Sequence, residues 1–232
     1  MGGALTRHGG ALRRHHSNPA RRGCGGYNPT PDKMNLIFMS TSGGVGKSTI
    51  IHSHLHHGNE DFQPLVEYDP TIEESYMKNE IIDEVVGEKR VQILDSAGQK
   101  EFTAMRDIWI RNGDGFVIVF SSDQLEKEGN PMDPFVELIE HIERVKDEDM
   151  ISTKIPVILV ENKIDLYSDS ENREAIELAQ KYHIGYMRTS GITGENVELL
   201  FHNIYQWWFR QNDSLSKDYP PIHTGFNVKR AR

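Results

Sequence analysis

The chain has 232 residues, enough for one large domain or two small ones. It carries 35 Asp and Glu against 26 Lys and Arg, a formal net charge of −9, so nucleic acid is not an expected partner. The single cysteine, Cys24, excludes an internal disulfide framework and fits a reducing compartment, and no apolar stretch approaches membrane-spanning length.

Residues 1–33 read as a disordered basic arm. Arg7, Arg13, Arg14, Arg21 and Arg22 lie in a stretch with no Asp or Glu before Asp32, and no apolar periodicity marks a core there. The opening Met1-Gly2-Gly3-Ala4-Leu5-Thr6 matches the N-myristoylation pattern, with Gly2 as acceptor. One acyl chain binds a membrane only marginally, so the arginines or a palmitoylated Cys24 would have to add a second signal. An Arg-rich, acid-poor arm also fits a mitochondrial transit peptide, and both readings stand.

Residues 34–212 read as the folded domain. Leu36 to Met39 is a short buried strand, followed by Ser40-Thr41-Ser42-Gly43-Gly44-Val45-Gly46-Lys47-Ser48-Thr49. A Gly-rich loop between a strand and a helix turns its backbone N–H groups around a phosphate, and the helix N-terminus adds positive potential. Lys47 would reach the β/γ-phosphates and Ser48 would bind Mg²⁺. The strict pattern G-x-x-x-x-G-K-[ST] fails at its first position, which is Thr41. A β-branched residue there is disfavoured if the loop needs positive φ, which leaves the nucleotide affinity open.

Ser48 to His57 reads as the following helix. His52, His54, His56 and His57 crowd it; a metal pair at His52 and His56 is conceivable, but a polar face is the better reading. Residues 60–79 read as a long polar loop containing Tyr68-Asp69-Pro70-Thr71-Ile72-Glu73-Glu74-Ser75-Tyr76. Ile81 to Val86 and Val91 to Leu94 read as a hairpin turning at 87–90 and ending in Asp95-Ser96-Ala97-Gly98-Gln99. Then come a helix at Arg106 to Arg111, a buried strand at Phe116 to Phe120, a polar loop over 121–134 and a helix at Phe135 to Val145. Pro156 to Val160 is another strand, running into Glu161-Asn162-Lys163-Ile164-Asp165. A helix at Glu171 to Tyr182, a strand at Gly185 to Arg188, a loop at Thr189 to Gly194 and an amphipathic helix at Glu195 to Arg210 complete the domain. Residues 213–232 read as a flexible tail. The alternation of strands and helices predicts an α/β fold: a mostly parallel sheet with one antiparallel strand, helices on both faces, and a ligand at the carboxyl ends of the strands.

Residues 35–208 resemble a Ras-type small GTPase, of the Ras branch. The likeness is carried by Gly43-Gly44-Val45-Gly46-Lys47-Ser48, Tyr68 to Tyr76, Asp95-Ser96-Ala97-Gly98-Gln99, Asn162-Lys163-Ile164-Asp165 and Thr189-Ser190-Gly191, in the family's order. It implies a P-loop GTPase sandwich with a six-stranded sheet and about five helices. It also implies a switch that binds GTP and GDP with Mg²⁺ and hydrolyses GTP. Lys47 and the loop amides would neutralise the phosphates. Ser48 and Thr71 would bind the metal, Asp95 would hold its shell, the Gly98 N–H would sense the γ-phosphate, and Gln99 would orient the attacking water. Asp165 would accept bonds from the guanine N1–H and exocyclic amine, Asn162 would reach the N7 edge, the Lys163 stem would cover the ring, and Ser190 and Gly191 would steady the base.

Implied partners are an exchange factor, a GTPase-activating protein and effectors meeting the acidic Tyr68–Tyr76 loop, by strand addition along the adjacent edge. Intrinsic turnover is expected on the order of 10⁻⁴–10⁻³ s⁻¹. The expected place is the cytoplasm, peripheral to a membrane if the arm anchors there; Lys229-Arg230-Ala231-Arg232 carries no C-a-a-X box. Departures are Thr41, the histidines, Glu161 where a glycine is common, Glu74 for an aspartate, and Gly191 for an alanine. The competing readings are a nucleotide-impaired scaffold and a partitioning-type P-loop ATPase. The latter wants lysine at position 42, where this chain has Ser42.

Overall fold

The computed structural model describes residues 32–58, 73–84, 86–96, 103–127, 132–150, 155–166 and 172–212. The elements, in order, are β1 (Lys33–Met39), α1 (Lys47–Leu55), β2 (Glu73–Ile81), β3 (Glu88–Ser96), α2 (Thr103–Asn112) and β4 (Gly115–Ser121). After them come α3 (Ser122–Lys127), α4 (Asp133–Lys146), β5 (Val157–Asn162), a 3₁₀ turn (Ile164–Leu166), α5 (Arg173–Lys181), β6 (Gly185–Arg188) and α6 (Val197–Gln211). The six strands form one sheet in the order β2-β3-β1-β4-β5-β6; only the β2–β3 pair is antiparallel. This is the expected mostly parallel α/β sandwich.

Alternation along the central strands divides the core. Ile37 and Met39 of β1, with Phe116, Ile118 and Phe120 of β4, face Trp109, Phe135, Leu138 and Ala175 of α2, α4 and α5. Leu36 and Phe38, with Val117 and Val119, face Ile50 and Ile51 of α1 and Leu200, Phe201 and Ile204 of α6. β4 and β5 are buried at every position because helices cover both faces. Among the described residues no helix is long and apolar enough to cross a membrane.

The hairpin departs from the expected register. β2 begins at Glu73, inside the presumed polar loop, and pairs Glu73 with Ser96 through Ile81 with Glu88. The reversal lies over residues 82–87, not 87–90. There Ile82 N–H donates to the Gly87 carbonyl at 3.0 Å and Gly87 N–H to that of Asp83 at 2.8 Å. β2 is an edge strand with its odd-numbered residues exposed, so a polar sequence suits it, and Ile82 is apolar because it anchors the turn on the core. The polar loop expected at 121–134 also holds a helix, α3, whose Leu125 is buried.

The polar histidine face expected of the first helix holds for His52, His56 and His57, which are half-buried or exposed, and fails for His54. Lys47, Ile50, Ile51 and His54 recur at helical spacing on the buried side of α1. His54 is only 2% exposed and its ring stacks on Phe201 with centroids 3.7 Å apart. Its Nδ1 meets Glu198 of α6 at 2.8 Å and its Nε2 meets Glu80 of β2 at 3.1 Å. Lys78 reaches Glu80 at 2.7 Å. Burial raises the Glu80 pKa, but bonds and charge from His54 and Lys78 outweigh it and hold the carboxyl down, from 4.5 to about 2. A depressed carboxyl stabilises the native state above its unfolded pKa and loses that contribution as pH falls through the folded one. Glu80→Gln should therefore remove part of the acid-induced loss of stability between pH 4.5 and 2. Urea midpoints at neutral and acidic pH check this; an undiminished acid loss in the variant would dissociate Glu80 from it.

Candidate functional site

The carboxyl ends of β1, β3 and β5, with the loop after β6, converge on α1. The 40–46 loop joins β1 to α1, and Gly44 and Gly46 take the left-handed region with φ 72° and 90°. Thr41 is not among the residues with positive φ, so the strain expected of a β-branched side chain there does not arise. Val45 is buried, and Lys47 opens α1 with its side chain turned back along the loop, donating to Ser40 Oγ at 3.1 Å. Ser40 Oγ in turn donates to the Ser42 carbonyl at 2.7 Å. Burial pushes the Lys47 ammonium below its usual pKa, and the nearby Asp95 charge opposes this.

Asp95, at the end of β3, is fully buried and accepts the Ser48 hydroxyl on Oδ2 at 2.5 Å. Its Oδ1 is buried and has no hydrogen-bond partner among the described residues. Burial raises the Asp95 pKa, partly countered by the Ser48 bond and the Lys47 charge. Two hard oxygens lie side by side here, the Ser48 hydroxyl and the Asp95 carboxylate, and among the described residues no donor reaches Oδ1.

Asn162, the last residue of β5, joins two loops. Its Nδ2 donates to the Val45 carbonyl at 3.0 Å and to that of Gly46 at 3.3 Å. Its Oδ1 accepts Gly191 N–H at 3.0 Å and Thr189 Oγ1 at 3.2 Å. Any side chain at Gly46 would collide with Asn162 Nδ2, so glycine is required there for space as well as for its φ. Lys163 takes a φ of 65°, which directs the chain into the 3₁₀ turn carrying the exposed Asp165. Asp165 Oδ1 accepts Ser190 Oγ at 2.5 Å, and that hydroxyl also accepts Thr193 N–H at 3.1 Å. Gly191 lies against the first turn of α1: a Cβ there would sit 2.9 Å from Ile50 N and 3.1 Å from Thr49 Cγ2.

The structure therefore gathers Gly43, Gly44, Val45, Gly46, Lys47, Ser48, Thr49, Asp95, Asn162, Lys163, Asp165, Ser190 and Gly191 at one end of the sheet. Thr71, Gly98 and Gln99 lie outside the described residues, as do Tyr68 to Ile72, Gly2 and Cys24. Glu73 to Tyr76 open β2, not a loop. Glu73 Oε2 accepts the Trp109 indole N–H at 3.1 Å, linking β2 to α2. Tyr76 OH lies 3.1 Å from His52 Nε2. Sequence reasoning missed Asp123, whose carboxylate pairs with Lys163 Nζ at 3.6 Å. Its signal was positional: Ser122 and Asp123 directly follow the carboxyl end of a buried strand, where ligand-site groups gather.

The Ras family model matches residues 36–209. A curated relative, the Ras-like protein RAS2 of Hydra vulgaris, is 37% identical over 179 residues, covering 75% of this chain and 83% of the relative.

Proposed function

Since the chain belongs to the Ras family, and is thereby a GTP-binding switch that hydrolyses GTP, we propose that its nucleotide site is the constellation at the carboxyl end of the sheet. The contact set of Asn162 carries this assignment. One side chain bonds both the 40–46 loop and the 189–191 loop, so the phosphate-side and base-side elements form one unit. Lys47 and the amides of Gly43 to Ser48 neutralise the β/γ-phosphates. Asp165 takes the guanine N1–H and amine, which adenine cannot supply, and Ser190 holds that carboxylate in place. The Lys163 stem covers the ring, its ammonium held back by Asp123.

Mg²⁺ fits the Ser48–Asp95 pair. A buried carboxylate whose pKa is raised by burial, and whose Oδ1 meets no donor among the described residues, suits a hard divalent ion. Ser48 and Asp95 would hold the metal with Thr71, and the metal would supply charge neutralisation at the β/γ-phosphates. We assign Gln99 to orienting the attacking water and the Gly98 N–H to sensing the γ-phosphate, on the strength of their place after Asp95. The edge of β2, which among the described residues pairs only with β3, suits an effector adding a strand beside Glu73 to Tyr76. Membrane contact through Gly2 acylation rests on the opening pattern and the acid-free arginine arm. Gly2→Ala should abolish myristate incorporation, and no incorporation into wild-type protein would remove this anchor.

The test of the site is the nucleotide carried by protein purified in Mg²⁺. Guanine nucleotide near one equivalent, released faster after chelation, is the expected result. Protein that is empty and refuses added GDP would overturn it. Gln99→Leu should nearly abolish turnover and leave binding intact; unchanged turnover would remove the role given to Gln99.

A further inference from the structure

Glu161 is a charged residue in the middle of the core. Its side chain is 3% exposed, and β5 runs between β4 and β6 at this level, pairing Glu161 with Phe120 on one side and Arg188 on the other. Burying a carboxylate costs several kcal/mol unless its lone pairs are filled. Here they are filled from two elements. Ser122 Oγ, at the start of α3, donates to Oε1 at 2.6 Å. Tyr186 OH and Arg188 Nε, both of β6, donate to Oε2 at 2.5 and 3.2 Å. The backbone carbonyl of Glu161 accepts Thr189 N–H at 2.8 Å.

Two of these partners share their place: Ser122 and Arg188 each lie directly before a polar group of the base site, and Tyr186 holds the same carboxylate from two residues further back on β6. Asn162 follows Glu161 and bonds Thr189, which follows Arg188. Asp123 follows Ser122 and pairs with Lys163. The Arg188 carbonyl accepts Asn196 Nδ2 at 2.9 Å, closing the loop that carries Ser190 and Gly191. The carboxylate thus ties together the roots of all three segments that surround Asp165. A buried ion pair is weak support for stability, since an apolar replacement packs as well, but it holds a geometry firmly.

We propose that Glu161 is a positioning residue for base selection: by bonding Ser122, Tyr186 and Arg188 it fixes the spacing between the Asn162–Asp165 segment and the Thr189–Gly191 segment. The Asp165 carboxylate must meet two donors at once, the ring N1–H and the exocyclic amine. The second contact fails first if the segments drift. The inference rests on the guanine reading of the site. Its signature is selective: loosening the tie should cost GDP more than it costs IDP, whose hypoxanthine base has the N1–H and lacks the amine.

The experiment measures GDP and IDP affinities by competition for wild-type protein, Glu161→Gln, and Glu161→Gln/Arg188→Gln, alongside the melting temperature of each. Glu161→Gln keeps the volume and turns an amide against the Arg188 donor. Wild-type protein should prefer GDP, and both variants should narrow the GDP:IDP ratio by about five- to tenfold, the worth of one well-aligned hydrogen bond. Equal weakening toward both nucleotides, or a lowered melting temperature with the ratio kept, would overturn the proposal and leave Glu161 a structural group. If the single variant does not fold, the double variant, which removes the charge pair together, gives the same ratio. A wild-type protein with no preference for GDP would overturn the guanine reading itself, a result distinct from a kept ratio in the variants.

Discussion

Asn162→Ala is expected to weaken guanine-nucleotide binding by about 10²–10⁴-fold. The side chain fills four bonds from a position only 2% exposed: two to the carbonyls of Val45 and Gly46, and two from Gly191 N–H and Thr189 Oγ1. Truncation leaves buried backbone groups on both loops without partners, at about 1–3 kcal/mol for each. Two such groups correspond to the range given, at 1.4 kcal/mol per factor of ten. Part of the loss comes from the free protein, whose two loops are no longer held at a common distance. Asn162→Asp should not restore binding, since it keeps an acceptor for Gly191 but turns a charged oxygen toward the Val45 and Gly46 carbonyls. Titration with a fluorescent GDP analogue checks this. Binding by the alanine variant within fivefold of wild type would show that the two loops stay aligned without the strut.

Gly191→Ala is expected to speed GDP release by about ten- to hundredfold. Its φ is ordinary, so the objection is space alone. The new methyl would lie 2.9 Å from Ile50 N, 3.0 Å from the Thr49 carbonyl carbon and 3.1 Å from Thr49 Cγ2. The first two are backbone atoms of α1 and cannot swing aside. Overpacking of this kind typically costs 1–3 kcal/mol, and here the strain opens the gap between the base loop and the helix that begins at Lys47. Thr49→Ala in the same chain should give little relief, because it removes only the third contact. Displacement of a bound fluorescent nucleotide reads the rate directly. A rate unchanged from wild type would mean that α1 can retreat without cost.

Much of this site was legible because its motifs are local. Gly43 to Ser48 and Asn162 to Asp165 announce themselves by spacing, and each directly follows a run that burial on both faces makes apolar. The hairpin was misread because the rule that strands alternate or run apolar fails at an edge. Among the described residues β2 has one paired neighbour, and it has an exposed face, so Glu73 to Lys78 look like loop, while Ile82 looks like strand only because it pins the turn. The outcome at Thr41 depended on a backbone angle that no side-chain pattern reports. Glu161 and Gly191 were visible as departures, but their meaning was not. The partners of Glu161 lie 39, 25 and 27 residues away at Ser122, Tyr186 and Arg188. The neighbour of Gly191 is the backbone of a helix some 140 residues earlier in the chain. Such relations exist only once the sheet order has brought distant segments together.

The strut at Asn162 also has a consequence for the order in which the protein can be made. Its bond to Val45 spans 117 residues. At about 5–20 residues per second, the 40–46 loop leaves the ribosome roughly 6–23 s before the asparagine that braces it. The β1 strand beneath that loop also waits for both of its neighbours, β3 and β4, which are synthesised later. For that interval the emerging chain holds the glycine-rich loop without the segment that braces it. The two loops joined by Asn162 therefore cannot be held at their final distance until β5 and β6 have been made, so the site is completed late, with the last part of the domain.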